Sequence, residues 1–265
     1  MRGSLIKSDS VLKYTTLVVL ALLISIFASP LVALWRRGFS VESANFNSLV
    51  ESLLLSLATS LLSTALIFVF SVPMAFTLSR LRATVKRLVE TVTTIPVIVS
   101  PSAIGSLLLL FFAENPVGSA INKSLSVLND PKGVIAAQFV IGYPVALSLY
   151  TAIFSSTPRV YEEVALEAGL SRLEYLYRVL LPMTRNQVLS GLVLVYARVF
   201  ADFGASLVVG GGIRGKTWTF PIYIYMTTQY GDVVILSIAL LLYLAVAAAL
   251  LYTLYTIREV ASGFT

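Results

Sequence analysis

Six long apolar segments constrain the fold of this chain more than any other feature. An α-helix needs about 20 mostly apolar residues to cross a lipid bilayer, and six segments provide them: Tyr14–Trp35, Leu49–Thr77, Val89–Phe112, Gly133–Phe154, Val188–Val209 and Val233–Ile257. Only 12% of the 265 residues are charged, against about 25% in soluble domains. The sequence therefore predicts an all-α integral membrane protein, a six-span helical bundle that forms a single domain over residues 1–265.

Pro73 lies in the second of these segments, and Pro96 and Pro101 lie in the third. We expect them to interrupt their helices, because breaks are tolerated when neighbouring helices satisfy the freed backbone groups. The first segment is longer than the ~7–15 residues of a signal-peptide core. It is therefore expected to remain as a span.

Lysine and arginine are unevenly distributed between the two ends of the spans. Twelve flank one set of ends: Arg2, Lys7, Lys13, Arg80, Arg82, Lys86, Arg87, Arg159, Arg172, Arg178, Arg185 and Arg258. Six flank the other set: Arg36, Arg37, Lys123, Lys132, Arg214 and Lys216. Basic residues favour the cytoplasmic ends. The bias predicts a multi-pass protein of the cell (plasma) membrane, with both termini and residues 157–187 in the cytoplasm.

The composition also narrows the chemistry. The chain contains no cysteine and no histidine, which excludes disulfides and thiolate nucleophiles and removes the commonest general base and metal ligand. We therefore expect neither a catalytic residue nor a metal site. The net charge of +6 lies in short clusters beside the spans. Such clusters predict contact with membrane lipid and no nucleic-acid partner.

A charged stretch over residues 157–187, the polar segment, separates the fourth and fifth apolar runs. Thr157 followed by Pro158 is typical of a helix start, with a hydroxyl cap and then proline at the first helical position. A first helix is predicted over residues 159–168. Gly169 follows it and can adopt the left-handed conformation that ends a helix, so the sequence predicts a corner at this glycine.

A second helix is predicted directly after the corner. Ser171 and Glu174 have the spacing of a capping box, and Pro182 is expected to interrupt the helix before the next span. Helical periodicity predicts one apolar face formed by Leu173, Leu176, Tyr177 and Leu180.

The first arm of the polar segment is acidic, with Glu162, Glu163 and Glu167. An amphipathic loop can lie on lipid headgroups, but helices of that kind favour lysine and arginine on their polar face. Anionic lipid repels an acidic arm. We therefore prefer docking onto a soluble protein.

The spacing of the polar segment resembles the EAA signature of ABC importer permeases. Glu163-Val164-Ala165 is followed by three residues, Gly169, nine residues and then Val179-Leu180-Leu181-Pro182. The chain departs from the signature at Val164, where alanine is usual, and conservatively at Val179. The resemblance implies the type I ABC importer permease fold and a coupling helix that sits in a groove of a cytoplasmic ATPase. It assigns ATPase coupling to Glu162, Glu163, Val164, Ala165, Glu167, Ala168, Gly169, Leu181 and Pro182.

A second resemblance concerns the fifth segment and the loop after it. Ala197-Arg198, Asp202-Phe203-Gly204-Ala205, Gly215-Lys216-Thr217, Thr219 and Pro221 are similar to the series found in molybdate/tungstate permeases, to which sulfate permeases are closely related. Asp202 stands where glutamate is usual. The candidates for a translocation path or gate are Arg198, Asp202, Phe203, Gly204, Ala205 and Ser206, and those for the extracellular loop are Gly215, Lys216 and Thr217.

Residues 210–217, GGGIRGKT, also fit the P-loop pattern. A P-loop opens into a helix after its threonine, whereas Trp218-Thr219-Phe220-Pro221 follows here, and the charge bias places this stretch outside the cell. We interpret it as a glycine-rich loop, termed the glycine loop, and not as a nucleotide site. Its amides and Lys216 can at most guide an anion.

Arg198 and Asp202 lie four residues apart, so they can pair on one face of a helix. Charges at membrane depth are costly and usually face the bundle interior or an aqueous path. The pair is expected either to fix helix packing or to serve the substrate directly.

Taken together, the resemblances imply a non-catalytic permease subunit that couples a cytoplasmic ATPase to the import of molybdate or tungstate. They imply ABC ATPase subunits, a second permease copy in a homodimer and an extracellular oxyanion-binding protein as partners. ATP and Mg²⁺ are expected on the ATPase, with no cofactor on this chain. The alternatives are a permease for sulfate or another small anion and a secondary transporter driven by an ion gradient. Such a transporter uses ionisable groups at mid-membrane, and this chain offers only Arg198 and Asp202.

Overall fold

Helices make up nearly all of the computed structural model, which describes residues 2–38 and 43–262. In chain order they are α1 (Arg2–Arg37), α2 (Ser43–Arg80), α3 (Ala83–Ile98), α4 (Pro101–Glu114), α5 (Pro116–Leu125), α6 (Pro131–Ser156), α7 (Val160–Glu167), α8 (Arg172–Tyr175), α9 (Leu181–Met183), α10 (Arg185–Phe200), α11 (Gly204–Gly210), α12 (Phe220–Tyr230) and α13 (Val233–Ser262). A π turn (Leu176–Leu180) lies between α8 and α9. Neither described range contains a β-strand.

Four of the described helices are long and apolar enough to cross a membrane by themselves: Tyr14–Arg37, Phe46–Arg80, Pro131–Ser156 and Val233–Ile257. Two pairs qualify when each is taken as one bent span. The pair α3 and α4 bends by 107°, and the pair α10 and α11 bends by 57°. The prediction of an all-α membrane bundle is confirmed, and the count reaches six when each bent pair is one span.

The positions of these bends differ in part from expectation. Pro73 lies inside the continuous helix α2, and Pro96 lies inside α3, so the prediction that they interrupt their helices is wrong. The break falls at Val99 and Ser100, directly before Pro101. Pro101 takes the first turn of α4, where no amide hydrogen is needed, and the Ser100 hydroxyl accepts a hydrogen bond from the Ala103 amide at 3.3 Å.

The centre of the fold is the packing of α2 on α6, with α10 lying against both. Tyr150 and Phe154 of α6 are completely buried there. Gly142 allows the close approach, because a Cβ at this position would lie 2.6 Å from Val199 Cγ2 and 2.7 Å from Ile67 Cδ1.

A buried polar seam also holds α2 against α6. Gln138, which is 1% exposed, accepts a hydrogen bond from the Ser63 hydroxyl at 2.9 Å and donates to Thr59 Oγ1 and Ser60 Oγ at 3.4 Å. Between membrane helices, small hydroxyl residues allow close packing and amides bond across the interface. The seam therefore fixes one register between the two central spans.

The outer surface is apolar, as a lipid environment requires. Between Tyr14 and Arg37 of α1, most large aliphatic and aromatic side chains are exposed, including Leu17, Ile24, Phe27 and Trp35, whereas Leu34 is buried. Because these side chains are not covered by the rest of the fold, α1 is a peripheral span, and its contacts within the chain are mainly with α13.

Candidate coupling and translocation site

The first arm of the polar segment is α7, and its start differs from the prediction. Thr157 ends α6, and its hydroxyl donates a hydrogen bond to the Ile153 carbonyl at 3.4 Å. It therefore does not cap α7, which begins at Val160 after Arg159 without a side-chain cap. The Thr157 prediction is wrong because the hydroxyl bonds back into the preceding helix instead of forward.

The corner at Gly169 has the geometry that the sequence predicts. Gly169 has a φ of +88°. Its amide donates to the Leu166 carbonyl, and the Leu170 amide donates to the Ala165 carbonyl, both at 3.0 Å. These two bonds, together with a glycine in the left-handed conformation, form a Schellman motif.

The second arm begins with the predicted capping box. The Ser171 hydroxyl accepts from the Glu174 amide at 3.2 Å, and a Glu174 carboxylate oxygen accepts from the Ser171 amide at 3.0 Å. The Ser171 amide, the Ser171 hydroxyl and the Arg178 charge hold the pKa of Glu174 below its usual value. The corner is thus closed on both sides by local hydrogen bonds.

The predicted apolar face of the second arm is only half correct. Leu176 and Leu180 are buried, but Leu173 and Tyr177 are 62% and 50% exposed, and Tyr175 is buried in their place. A π turn widens the helix by one residue per turn, so the buried stripe follows a spacing of four to five residues. Pro182 lies within α9, and the helical path breaks only at Thr184.

The outward surface of the polar segment combines apolar and acidic side chains. Glu163, Glu167, Ala168 and Gly169 are exposed together with Val160, Tyr161 and Val164. Val164, where the chain departs from the EAA signature, is 59% exposed, so the larger side chain fits without displacing the core. Of the other predicted coupling residues, Pro182 is exposed, Leu181 is half-buried, and Glu162 and Ala165 are buried.

Glu162 attaches α7 to the bundle, a contact that the sequence did not predict. Its carboxylate lies 2.7 Å from Arg80 Nε, at the end of α2, and 3.7 Å from Arg172 Nε in α8. No periodicity in the sequence relates Arg80 to Glu162. The only local signal is that one of two adjacent glutamates must face the bundle.

The fifth span breaks between Arg198 and Asp202. Helix α10 ends at Phe200, and Asp202, which is 1% exposed, accepts hydrogen bonds from the Ser206 amide at 2.9 Å and the Ser206 hydroxyl at 2.6 Å. No ion pair joins Arg198 to Asp202 among the described residues. The predicted direct pair on one helix face is therefore wrong, because the helix ends before its second member.

The break packs tightly against the start of α4. A Cβ on Gly204 would lie 2.9 Å from the Ser102 amide nitrogen, and one on Gly105 would lie 2.9 Å from the Ala205 Cα. Gly204, Ala205 and Ser206 are buried, whereas Arg198 and Phe203 are half-buried. The structure thus brings the two bent spans together at their breaks.

The glycine loop is closed by its own hydrogen bonds. Thr217 Oγ1 donates to the Gly210 carbonyl at 2.7 Å and accepts from the Ile213 amide at 2.8 Å. After Thr217 the chain does not enter a helix, because the Thr219 amide bonds back to the Thr217 carbonyl at 3.0 Å and α12 begins only at Phe220. The loop therefore lacks the helix that follows the threonine of a P-loop.

Lys216 in this loop is paired. Its ammonium nitrogen lies 3.2 Å from the carboxylate of Asp130, the residue that caps α6. Desolvation alone would raise the pKa of Asp130, but the Lys132 amide, the Lys216 ammonium and the charge of Lys132 hold it below its usual value. Lys216 thus forms an ion pair with a carboxylate of the same chain.

Residues 67–259 match a family described as "Binding-protein-dependent transport system inner membrane component". The chain belongs to this family of transport permeases. The matched residues include both the polar segment and the broken fifth span. The predicted resemblance to ABC importer permeases is confirmed, and so is the place of this permease in a membrane.

The relatives of this permease include proteins named for molybdenum transport and for sulfate transport. It is 30% identical over 213 residues to the probable transport system permease protein NifC of Clostridium pasteurianum, covering 79% of this chain and 74% of the relative. It is 29% identical over 231 residues to the molybdenum transport system permease protein ModB of Mycobacterium tuberculosis, covering 84% and 87%. It is 27% identical over 223 residues to the sulfate transport system permease protein CysW of Escherichia coli, covering 80% and 77%.

The fold of the permease is also found in a solved transporter. A chain in the crystal structure of a bacterial alginate ABC transporter in complex with a periplasmic protein superimposes with a TM-score of 0.69 and 17% identity over 96% of both chains. At this identity the likeness concerns the fold alone. It places the described helices in the ABC importer permease architecture.

Proposed function

We propose that this permease is the non-catalytic membrane subunit of an ATP-driven importer for molybdate or tungstate. The observation that carries the proposal is the polar segment, a doubly capped corner with an exposed apolar and acidic surface. In this proposal the chain binds no cofactor itself, and ATP and Mg²⁺ bind to a partner ATPase.

The surface chemistry of the corner favours a protein partner over lipid. Val160, Val164 and Leu173 are each more than half exposed, and Glu163 and Glu167 are exposed beside them. Anionic headgroups repel the carboxylates, and interfacial helices carry mostly lysine and arginine on their polar face. A groove on a soluble ATPase with a basic rim and an apolar floor complements this surface.

The proposed orientation follows from the basic residues. The polar segment lies at the lysine- and arginine-rich ends of the spans, which places it and both termini in the cytoplasm. The glycine loop then faces outward, where an extracellular oxyanion-binding protein delivers the substrate. Two identical copies of the chain enclose the path, and each docks one ATPase subunit.

Alternating access needs ATP and the loaded binding protein to favour the same conformation, since a ligand shifts an equilibrium only by its differential affinity for the two states. The tight crossing of the two broken spans is the proposed gate. Arg198, Asp202 and Phe203 lie at the break itself, where a change in the bend would move them.

A single cation at the break supports an anionic substrate. Arg198 is half-buried in the fifth span; its charge interacts with that of Asp202, but no ion pair within 4 Å joins it to a carboxylate among the described residues. A membrane-embedded charge without such a partner usually faces an aqueous path. We expect Arg198→Gln to lower anion uptake about tenfold and Arg198→Lys to retain part of it, because lysine keeps the charge without the planar fork.

The substrate is assigned from the series between Ala197 and Pro221 and from the molybdenum permease relative. Sulfate is the second candidate, because the sulfate permease relative has nearly the same identity. The deciding experiment reconstitutes the chain with its ATPase and binding protein in liposomes. It then measures which of tungstate, molybdate, sulfate and phosphate raises ATP turnover and accumulates inside.

The expected result is stimulation by tungstate and molybdate, with little effect of phosphate. Stimulation by sulfate alone would move the assignment to the second candidate. Uptake that persists without ATP and collapses with the proton gradient would contradict the ATP-driven mechanism and favour a secondary transporter.

A further inference from the structure

Two adjacent glutamates of α7 have opposite environments. Glu163 is exposed, whereas Glu162 is 7% exposed. A buried carboxylate is costly unless it is paired and hydrogen-bonded. Glu162 is therefore not part of the surface that α7 offers to a partner, and its burial must be explained within the chain.

The pairing of Glu162 joins three elements. Glu162 Oε2 lies 2.7 Å from Arg80 Nε of α2, and Oε1 lies 3.7 Å from Arg172 Nε of α8. The Arg80 and Glu162 side chains are only 14% and 10% exposed, whereas Arg172 is 75% exposed. The closer, shielded contact is thus between α7 and α2, an ion pair in which Arg80 Nε lacks hydrogen-bond geometry, and Arg172 adds a more distant contact from solvent.

Arg80 is itself held by aromatic side chains. Its guanidinium carbon lies 5.4 Å from the centre of the Phe76 ring, and the Phe76 ring lies 6.1 Å from that of the buried Tyr175. A guanidinium over an aromatic face is attracted electrostatically. The Arg80–Glu162 contact therefore rests on the packed rings of Phe76 in α2 and Tyr175 in α8.

Arg80 is also the last residue of α2, the 38-residue helix that packs on α6, α10 and α12. A displacement of α7 that kept the pair intact would move the end of this central span. A displacement that broke the pair would leave two buried charges without compensation, which is strongly unfavourable. The cost of separating the Arg80–Glu162 pair thus favours a movement of α7 and α2 as one unit.

We propose that Glu162, through Arg80, is the positioning residue that transmits the motion of the polar segment to α2. Glu163 meets the ATPase, and Glu162 passes the resulting displacement into the spans. This inference rests on the proposed function, because it requires an ATPase docked on α7.

The test uses the complete complex in liposomes and measures both ATP hydrolysis and anion uptake. For Glu162→Gln we expect hydrolysis within about twofold of the wild type but uptake about tenfold lower, so that more ATP is consumed per transported anion. Exchanging the charges, in Arg80→Glu with Glu162→Arg, is expected to restore much of the ratio. Glu90→Gln serves as the control, since it removes the Lys86–Glu90 pair outside the polar segment.

A second measurement covers the case in which Glu162→Gln fails to assemble. The chain has no cysteine, so Arg80→Cys with Glu162→Cys can be joined by a short bifunctional maleimide. If α7 and α2 move as a unit, the cross-linked transporter keeps its uptake. Loss of uptake on cross-linking would overturn the inference, as would a wild-type ATP-to-anion ratio in Glu162→Gln. A wild-type complex that shows no ATP-driven uptake of any oxyanion would instead contradict the proposed function.

Discussion

The polar segment and the glycine loop lie at opposite ends of the fifth span, and both reverse the chain at glycines with positive φ. Gly169 turns the first, and Gly211, Gly212 and Gly215 turn the second. Each also matches a known sequence signature. They differ in whether their polar side chains are paired within the chain or exposed.

In the glycine loop the functional groups are satisfied within the chain. The Thr217 hydroxyl bonds to Gly210 and to Ile213, Lys216 pairs with Asp130, and the Trp218 indole donates to the Gly212 carbonyl at 2.7 Å. In the polar segment Glu162 and Glu174 are paired within the chain, while the Glu163 and Glu167 carboxylates and several apolar side chains remain exposed. A turn whose polar groups bond within the chain holds its helices together. A turn that leaves charged and apolar side chains exposed is suited to bind a partner.

The strongest test of this difference is charge reversal on the open surface. Glu163→Lys is expected to weaken binding of the ATPase about a hundredfold, because unlike charges become like charges and such a contact costs several kcal/mol. The measurement is the affinity of the detergent-solubilised permease for its ATPase. Lys123→Glu, an exposed reversal in α5, is the control, and equal affinities for both variants would contradict the docking assignment.

The next test compares one glycine from each region, Gly169 and Gly215, because both have free space around them. No atom lies within 4 Å of a Cβ built on Gly169 or Gly215, and both have positive φ. Valine at either site is expected to cost about 1–3 kcal/mol of backbone strain. Gly169→Val should therefore reduce ATP-driven uptake about tenfold with normal membrane insertion, whereas Gly215→Val should leave ATPase binding unchanged.

Gly169→Asn separates conformation from size at the corner. Asparagine visits the left-handed region much more readily than valine, so most of the uptake should remain. If asparagine is as damaging as valine, the corner needs the absence of a side chain and not the left-handed backbone.

A third test opens the glycine loop. Thr217→Val keeps the shape of the side chain but leaves the Ile213 amide without its acceptor, which is expected to cost about 1–3 kcal/mol. The melting temperature in detergent should fall while the affinity for the ATPase stays the same. Thr84→Val, at an exposed site in α3, is the control. An unchanged melting temperature in Thr217→Val would show that the loop does not depend on its closure.

The smallest effect is expected from Asp130. Its folded-state pKa is lowered, so its contribution to stability is present at neutral pH and is lost as the pH falls through that folded-state value, below about 4. At pH 7, the free energy of unfolding of Asp130→Asn should be lower than that of the wild type by about 1 kcal/mol or less, with a slightly lower melting temperature. The two proteins should converge on acidification, and a constant difference at every pH would contradict the pairing with Lys216.

Features of this molecule that arise from neighbouring residues were predictable from the sequence. The spans, the left-handed Gly169 and the box formed by Ser171 and Glu174 depend on composition or on spacings of a few residues. The competition for Thr157 was not predictable, because its hydroxyl has equivalent partners ahead and behind. The exposed Leu173 was missed because the π turn changes the period on which the prediction relied.

Contacts between residues that are far apart in the sequence were not predictable either. The Arg80–Glu162 pair and the approach of Gly204 to Ser102 depend on how spans pack, which a single sequence does not encode in any local pattern. The bend of the fifth span was hidden for the same reason. Residues 188–209 were predicted as one span, although Asp202 accepts hydrogen bonds from Ser206 at the break.

The crossing of the two broken spans also has a consequence for biosynthesis. At 1.5 Å per residue, α11 is only about 10 Å long, far short of the hydrocarbon thickness, and the buried Asp202 lies just before its start. Such a segment gains little from lipid and depends on a protein surface to receive it. Its partner, the start of α4 at Ser102, leaves the ribosome about a hundred residues earlier. The order of synthesis therefore delivers the receiving surface before the segment that needs it.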